Sequence, residues 1–308
     1  MAKKKLLLLV DSVAYTQENC YQHQLLETLQ IEFSVTMYPL RQINWNPFLS
    51  TKKFDFVLSV LKQRALARYI DAVSRLLDGR PLAIYDQDPW QAYIDDSTSR
   101  GCYAEFQRKL NISSLMLTSK WWANFCGKRG LPTRFVRMGM LPRYCNAGPT
   151  WSERTLELAF QGTLHPHRKA FFDELDSMGL QVSVLGSGSY ASYLKNLHKI
   201  RIYIHTEDAP WQVDGQLIPR NALWIKDVEV AARGCFAIRN WDEDSTAYDI
   251  NELPTISAFQ KPSDVLQLVE SIKAMSGSVR QQMIEETVAN VRYRDDWRTV
   301  VETLKQSD

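Results

Sequence analysis

No stretch of this chain approaches the ~20 consecutive apolar residues that a membrane-spanning helix needs, which excludes a span of that kind. Cysteine is scarce as well. Cys20, Cys102, Cys126, Cys145 and Cys235 are odd in number, far apart and in no metal-ligand spacing, so they read as reduced thiols of a cytoplasmic protein with no bound metal. Charge of one sign is not in excess: 37 basic against 35 acidic side chains leave no bulk pull toward nucleic acid or a membrane surface, although a local basic groove stays open. Two phosphate-binding signatures are missing. There is no G-x-x-x-x-G-K-[ST], which removes the P-loop route to ATP chemistry, and Gly186-Ser187-Gly188 stands without the full G-x-G-x-x-G spacing.

What is present is an alternation of short apolar runs with amphipathic segments. At 308 residues the chain is long enough for two modest cores. MAKKKLLLLVDS has a basic start, but its apolar run stops at Asp11, so it reads as a first buried strand and not as a signal peptide. Strand-like runs at 6–10, 33–37, 54–60 and 82–85 alternate with helix-like segments at 17–30 and 63–78, the pattern of a parallel sheet with crossover helices. Runs at 114–118 and 133–138 complete that sheet, and Pro142, Gly148 and Pro149 make 142–150 the linker. A second alternation follows, with strands at 156–160, 181–185, 200–205 and 235–238 and helices near 167–178, 189–198 and 222–233. A last helix is expected over about 280–305. The fold class predicted is α/β with two Rossmann-like domains facing a cleft, divided as 1–148 and 149–280, with 281–308 as a C-terminal helix.

The segment KDVEVAARGCFAIRN, residues 226–240, concentrates chemistry in one α/β unit. Val228, Val230, Ala231 and Ala232 pack a helix, Gly234 ends it, and Cys235 to Ile238 forms the next strand. Ligands of α/β sheets lie beyond strand ends and at helix N-termini, so Glu229 is placed to accept hydrogen bonds from two adjacent hydroxyls, as a ribose offers. An exposed helix-surface glutamate is the other reading.

Glu229-Val230-Ala231-Ala232-Arg233-Gly234 resembles the E-A-x-A-x-G segment of retaining GT-B glycosyltransferases, whose glutamate holds the ribose of a sugar nucleotide. In the wider superfamily a second glutamate usually lies eight residues earlier, where this chain has Asn221. A basic residue three positions before the glutamate, here Lys226, is similar to the CgeB-like spore-maturation glycosyltransferases. The resemblance implies a GT-B fold whose second domain binds a nucleotide-sugar donor, whose first domain takes a carbohydrate or other hydroxyl acceptor, and whose C-terminal helix returns to the first domain. It also implies transfer with retention and no metal cofactor, the nucleotide-sugar being a substrate. Gly162 and Arg168 match the family's glycine after the first strand and arginine opening the next helix, and so would meet the diphosphate; Gly186 matches its second glycine turn near the nucleotide. His205 would face donor sugar or phosphate, or serve as a structural hydrogen-bond partner. Arg220 and Lys226 are cations suited to leaving-group charge.

In the first domain Asp86, Asp88 and Asp95 are candidates for acceptor contact or proton removal, with a turn or helix cap as the plainer role for at least one of them. Asp86-x-Asp88 has the spacing of a D-x-D metal motif, but it falls in the domain expected to bind acceptor, and no metal is assigned there. Trp90, Trp121 and Trp122 offer platforms for a sugar ring, against core packing as the default for any tryptophan. Asp242-Glu243-Asp244 reads as a solvated acidic loop. Near-neutral charge argues against nucleic acid as acceptor. Two other readings stay open: a nucleotide-sugar epimerase or phosphorylase-like enzyme on the same architecture, and a degenerate, non-catalytic carbohydrate- or partner-binding protein, which Asn221 keeps in play.

Overall fold

The computed structural model describes residues 2–11, 21–39, 50–207, 210–218, 225–294 and 296–306. The chain forms two compact units, one of Met1–Arg137, Pro210–Ile218 and Trp297–Asp308, the other of Met138–Ala209 and Pro219–Asp296.

The first unit is built on β1 (Lys5–Val10), α1 (Tyr21–Glu32), β2 (Ser34–Pro39), β3 (Phe56–Ser59), α2 (Gln63–Arg68), α3 (Ile70–Leu77), β4 (Leu82–Asp86), α4 (Cys102–Lys109), β5 (Ile112–Leu117), α5 (Lys120–Gly127) and β6 (Thr133–Phe135). Its six strands pair in parallel in the order β2-β1-β3-β4-β5-β6. Leu6 to Leu9 are fully buried, as a central parallel strand covered on both faces requires, which is why β1 reads as an unbroken apolar run. The chain steps from β1 outward to β2 and then back across to β3. That reversal opens a crevice beyond the carboxyl ends of β1 and β3.

The second unit repeats the plan with β7 (Leu156–Gln161), α6 (Pro166–Ser177), β8 (Ser183–Leu185), α7 (Tyr190–Leu197) and β9 (Ile200–His205). Next in the chain comes a hairpin of β10 (Trp211–Val213) and β11 (Gln216–Ile218), which packs with the first unit. The second unit continues with α8 (Ile225–Ala232), β12 (Phe236–Asn240), α9 (Asp244–Ala247), β13 (Ile256–Phe259), α10 (Pro262–Ala274) and α11 (Gly277–Tyr293). Its sheet order, β13-β12-β9-β7-β8, puts the reversal between β7 and β9.

Three expectations are corrected. The segment 142–150 is not a linker: buried Arg154 bonds the carbonyls of Ala147, Pro149, Leu197, Ile200 and Arg233, which fastens it to the second unit, and the units divide at Arg137 and Met138. The stretch 210–218 does not belong with the second unit that surrounds it in sequence, because Asp95 accepts the N–H groups of Asp214 and Gly215 and Trp211 stacks on Trp90. The C-terminal segment is two helices. α11 packs on α8 of the second unit, the chain turns where Arg294 pairs with Asp296 at 3.0 Å, and only α12 (Arg298–Lys305) joins the first unit, burying Val300, Val301 and Leu304 beside α1 and β5.

Candidate functional site

In the second unit the loops leaving β7 and β9 and the first turns of α8 converge at the strand reversal. α8 is buried on almost every side from Val228 to Ala232, and it ends at Gly234, where φ is 73° and a Cβ would lie 2.6 Å from the Ala147 carbonyl oxygen. Glu229 is therefore not a surface residue; it is 2 % exposed. Tyr190 Oη donates to Glu229 Oε1. Burial pushes the Glu229 carboxyl up to about 7, against the opposing influence of Tyr190 and Lys226.

Lys226 Nζ donates to the Gln161 carbonyl oxygen at 3.2 Å and lies 5.5 Å from the centre of the Phe160 ring. Burial, followed by the charge of Arg168, lowers its affinity for a proton. Gly162 has φ 146°, and a Cβ there would come within 2.7 Å of Lys226 Nζ. Backbone in that region is open to glycine almost alone. Gly162, Lys226 and Glu229 thus form one cluster at the carboxyl end of β7. Gly186 lies on its border: Gly162 N–H donates to the Leu185 carbonyl at 3.1 Å, and Gln161 Nε2 to the Gly186 carbonyl at 3.3 Å.

Arg168 is not a solvated cation. Its guanidinium donates to the Thr163 carbonyl at 2.8 Å, the Thr206 carbonyl at 3.2 Å and the Glu207 carboxylate, so it shapes the loop between β7 and α6 from below. His205 lies behind it, with Nε2 3.0 Å from Glu207 Oε1 and Nδ1 3.3 Å from Asp227 Oδ1. Asp227 also meets Arg239 at 3.2 Å, and Arg239 in turn pairs with Asp242. The acidic run is accordingly not a solvated loop, since Asp242 accepts the Ser245 N–H and Asp244 is fully buried. Arg220, Asn221 and Asp208 lie outside the described residues.

The first unit carries a cavity of about 570 Å³ at its own strand reversal. It is walled by Asp11 after β1, Val60 and Leu61 after β3, Lys62, Gln63 and Arg64 of the turn into α2, and Tyr85 to Asp88 at the end of β4. Its lining is about evenly polar and apolar, with Gln91, Thr98 and Ser99 closing one side. Asp86 is buried and accepts from Gln63 at 2.6 Å, Tyr103 at 2.7 Å and the Asp88 N–H at 2.9 Å. Burial still raises its carboxyl above the usual range. Asp88 is raised to about 6, by burial first and then by the neighbouring Asp86 charge.

The other first-unit candidates are not on this wall. Trp90 is 3 % exposed and packs between Trp122 and Trp211, while Trp121 stacks on Phe125. Trp90 and Trp122 are buried among other rings, and Trp121 is partly exposed. Asp95 is spent on the hairpin and on Arg100 at 3.1 Å. Residues that sequence reasoning passed over include Tyr190, Gln63, Tyr103, Asp227 and Arg239. Each acquires its role from a partner at least seventeen residues away or on another element, and no local pattern marks such a pairing. Among the described residues no group of three His, Cys, Asp or Glu side chains is arranged to hold a metal ion, and no helix is long and apolar enough to cross a membrane.

No protein-family model matches the chain, and no curated protein matches it. Solved structures do. HepE from Anabaena, determined with UDP-glucose, matches at TM-score 0.61 and 13 % identity over 98 % of each chain. An alpha-glucosyltransferase, determined with UDP and a 13-mer DNA containing an HMU base, matches at 0.62 and 9 % identity over 99 % of this chain and all of that one. The UDP-forming alpha,alpha-trehalose-phosphate synthase from Burkholderia vietnamiensis matches at 0.60 and 10 % identity over 99 % of both. At these identities the likeness is one of fold: two Rossmann-like units of the GT-B class.

Proposed function

We propose that this chain is a glycosyltransferase that moves a sugar from a UDP-sugar to an acceptor hydroxyl. The observation that carries the reading is the cluster of Gly162, Lys226 and Glu229 at the strand reversal of the second unit, on a fold shared end to end with proteins determined with UDP or UDP-glucose. Glu229 accepts the ribose hydroxyls. The bare backbone at Gly162 lets the diphosphate approach, and Lys226 offsets the charge that grows on the leaving phosphate. Arg168 supports that loop through Thr163 and Thr206 and does not itself meet the phosphates.

The acceptor enters the cavity of the first unit, where Asp88, its proton affinity raised first by burial and then by Asp86, takes the proton of the attacking hydroxyl. Retention of anomeric configuration and membership of the CgeB-like group follow from the resemblance at Lys226 and Glu229.

The test is thermal shift against UDP, GDP, dTDP, CMP and ADP, because a ligand that binds only the folded state raises its melting temperature. A response to UDP, abolished in Glu229→Ala, supports the reading. Binding without hydrolysis or transfer of UDP-glucose under any acceptor would leave a non-catalytic binding protein, and no response to any nucleotide would defeat the donor assignment.

A further inference from the structure

Beneath the loop that opens at Gly162 runs a buried chain of six ionisable side chains: Arg168, Glu207, His205, Asp227, Arg239 and Asp242. Every one of these side chains is at most 9 % exposed. It begins on α6, passes the end of β9 and the first turn of α8, and finishes after β12.

The histidine is the informative member. Both of its ring nitrogens face carboxylate oxygens, Nε2 toward Glu207 at 3.0 Å and Nδ1 toward Asp227 at 3.3 Å. An ionised carboxylate only accepts, and a neutral imidazole has one N–H to give, so one nitrogen lone pair would be pressed against an oxygen lone pair. Two N–H groups satisfy both contacts. The acids are poorer homes for the extra proton, because each already meets an arginine, Glu207 with Arg168 and Asp227 with Arg239.

We propose that His205 is a buried imidazolium clamped between Glu207 and Asp227, and that it acts as a positioning residue joining the Gly162–Arg168 loop to the helix that carries Lys226 and Glu229. The groups that face it are Glu207 from its own strand end, Asp227 and Lys226 from α8, Arg168 from α6 and the Phe160 ring from β7, stacked at 6.4 Å. Burial is the largest influence and on balance lowers the proton affinity of His205 below that of an ordinary imidazole, with Lys226 and Arg168 acting the same way and Asp227 against them. The paired acceptors decide the matter by geometry. Its consequence for nucleotide binding rests on the donor-site reading above; its protonation state does not.

The experiment is two-bond 15N–1H correlation of the histidine rings in the whole protein, with His205 assigned through its own ring-to-Cβ correlations, followed by UDP titration of Glu207→Gln. Both His205 nitrogens should carry protons at pH 7 and at pH 8, and a ring with one bare nitrogen would overturn the imidazolium. In Glu207→Gln the ring should become neutral by pH 8 and UDP affinity should fall about fivefold or more. An unchanged ring with unchanged UDP affinity would overturn the positioning role. Should Glu207→Gln not fold, the wild-type spectrum alone still decides the charge. Wild-type protein that binds no UDP defeats the donor reading while the ring spectrum still reports on His205.

Discussion

Lys226 Nζ occupies the space that a side chain on Gly162 would need: a Cβ built on Gly162 would sit 2.7 Å from it. Only glycine at 162 lets the lysine reach across to the Gln161 carbonyl, so the two residues define one feature, a bare stretch of backbone with a cation laid over it.

Gly162→Ala tests that relationship. It forces a Cβ into a backbone region costing about 1–3 kcal/mol and displaces Lys226. UDP affinity measured by calorimetry should fall about tenfold or more, since 1.4 kcal/mol is a factor of ten. Unchanged affinity would remove the pair from the donor site.

Glu229 makes stability depend on pH. Its carboxyl titrates at about 7 in the folded protein against an ordinary value of 4.5, because burial disfavours its charge. The native state keeps this proton where the unfolded chain has released it, so stability is lost as pH rises through that window. The penalty is fully present above about pH 7, at roughly 3 kcal/mol. Glu229→Gln keeps an acceptor for Tyr190 and removes the charge. Its melting temperature should exceed wild type at pH 8 and match it at pH 5; an equal gain at both would refute the cause.

As the proposed proton acceptor, Asp88 should give the reaction an acidic limb. A proton acceptor must be ionised to work, so kcat/KM should drop as pH falls through about 6, the value to which burial and Asp86 raise it. Asp88→Asn should lower kcat about 10²–10⁴-fold with the limb abolished. A surviving limb would assign it to another group.

Trp90 should behave as core. Trp90→Ala opens a cavity between Trp122 and Trp211 and should cost about 3–5 kcal/mol in urea unfolding. If the variant were as stable as wild type but lost acceptor affinity, the ring would belong to the binding wall after all.

Much of the fold was legible because it is written locally. Leu6–Leu9 can only be a strand buried on both faces, and Val228, Val230, Ala231 and Ala232 before Gly234 can only be a packed helix with a glycine stop. Glu229 and Lys226 were singled out by the family resemblance that their spacing along one short helix carries.

Tertiary structure alone decided which polar side chains are spoken for. Arg168, Asp95 and Trp90 were plausible ligand contacts by residue type and position, yet each is occupied by a partner remote in the chain: Glu207, the hairpin at Asp214 and Gly215, and Trp211. The strand reversals that place the two sites arise from sheet order, which local periodicity does not encode. Helix and strand form from the chemistry of neighbours, within a few residues. Charge pairing and burial are settled only when distant segments meet, and these determine whether a cation is free for a phosphate, whether a carboxyl keeps its proton at neutral pH, and whether His205 carries two.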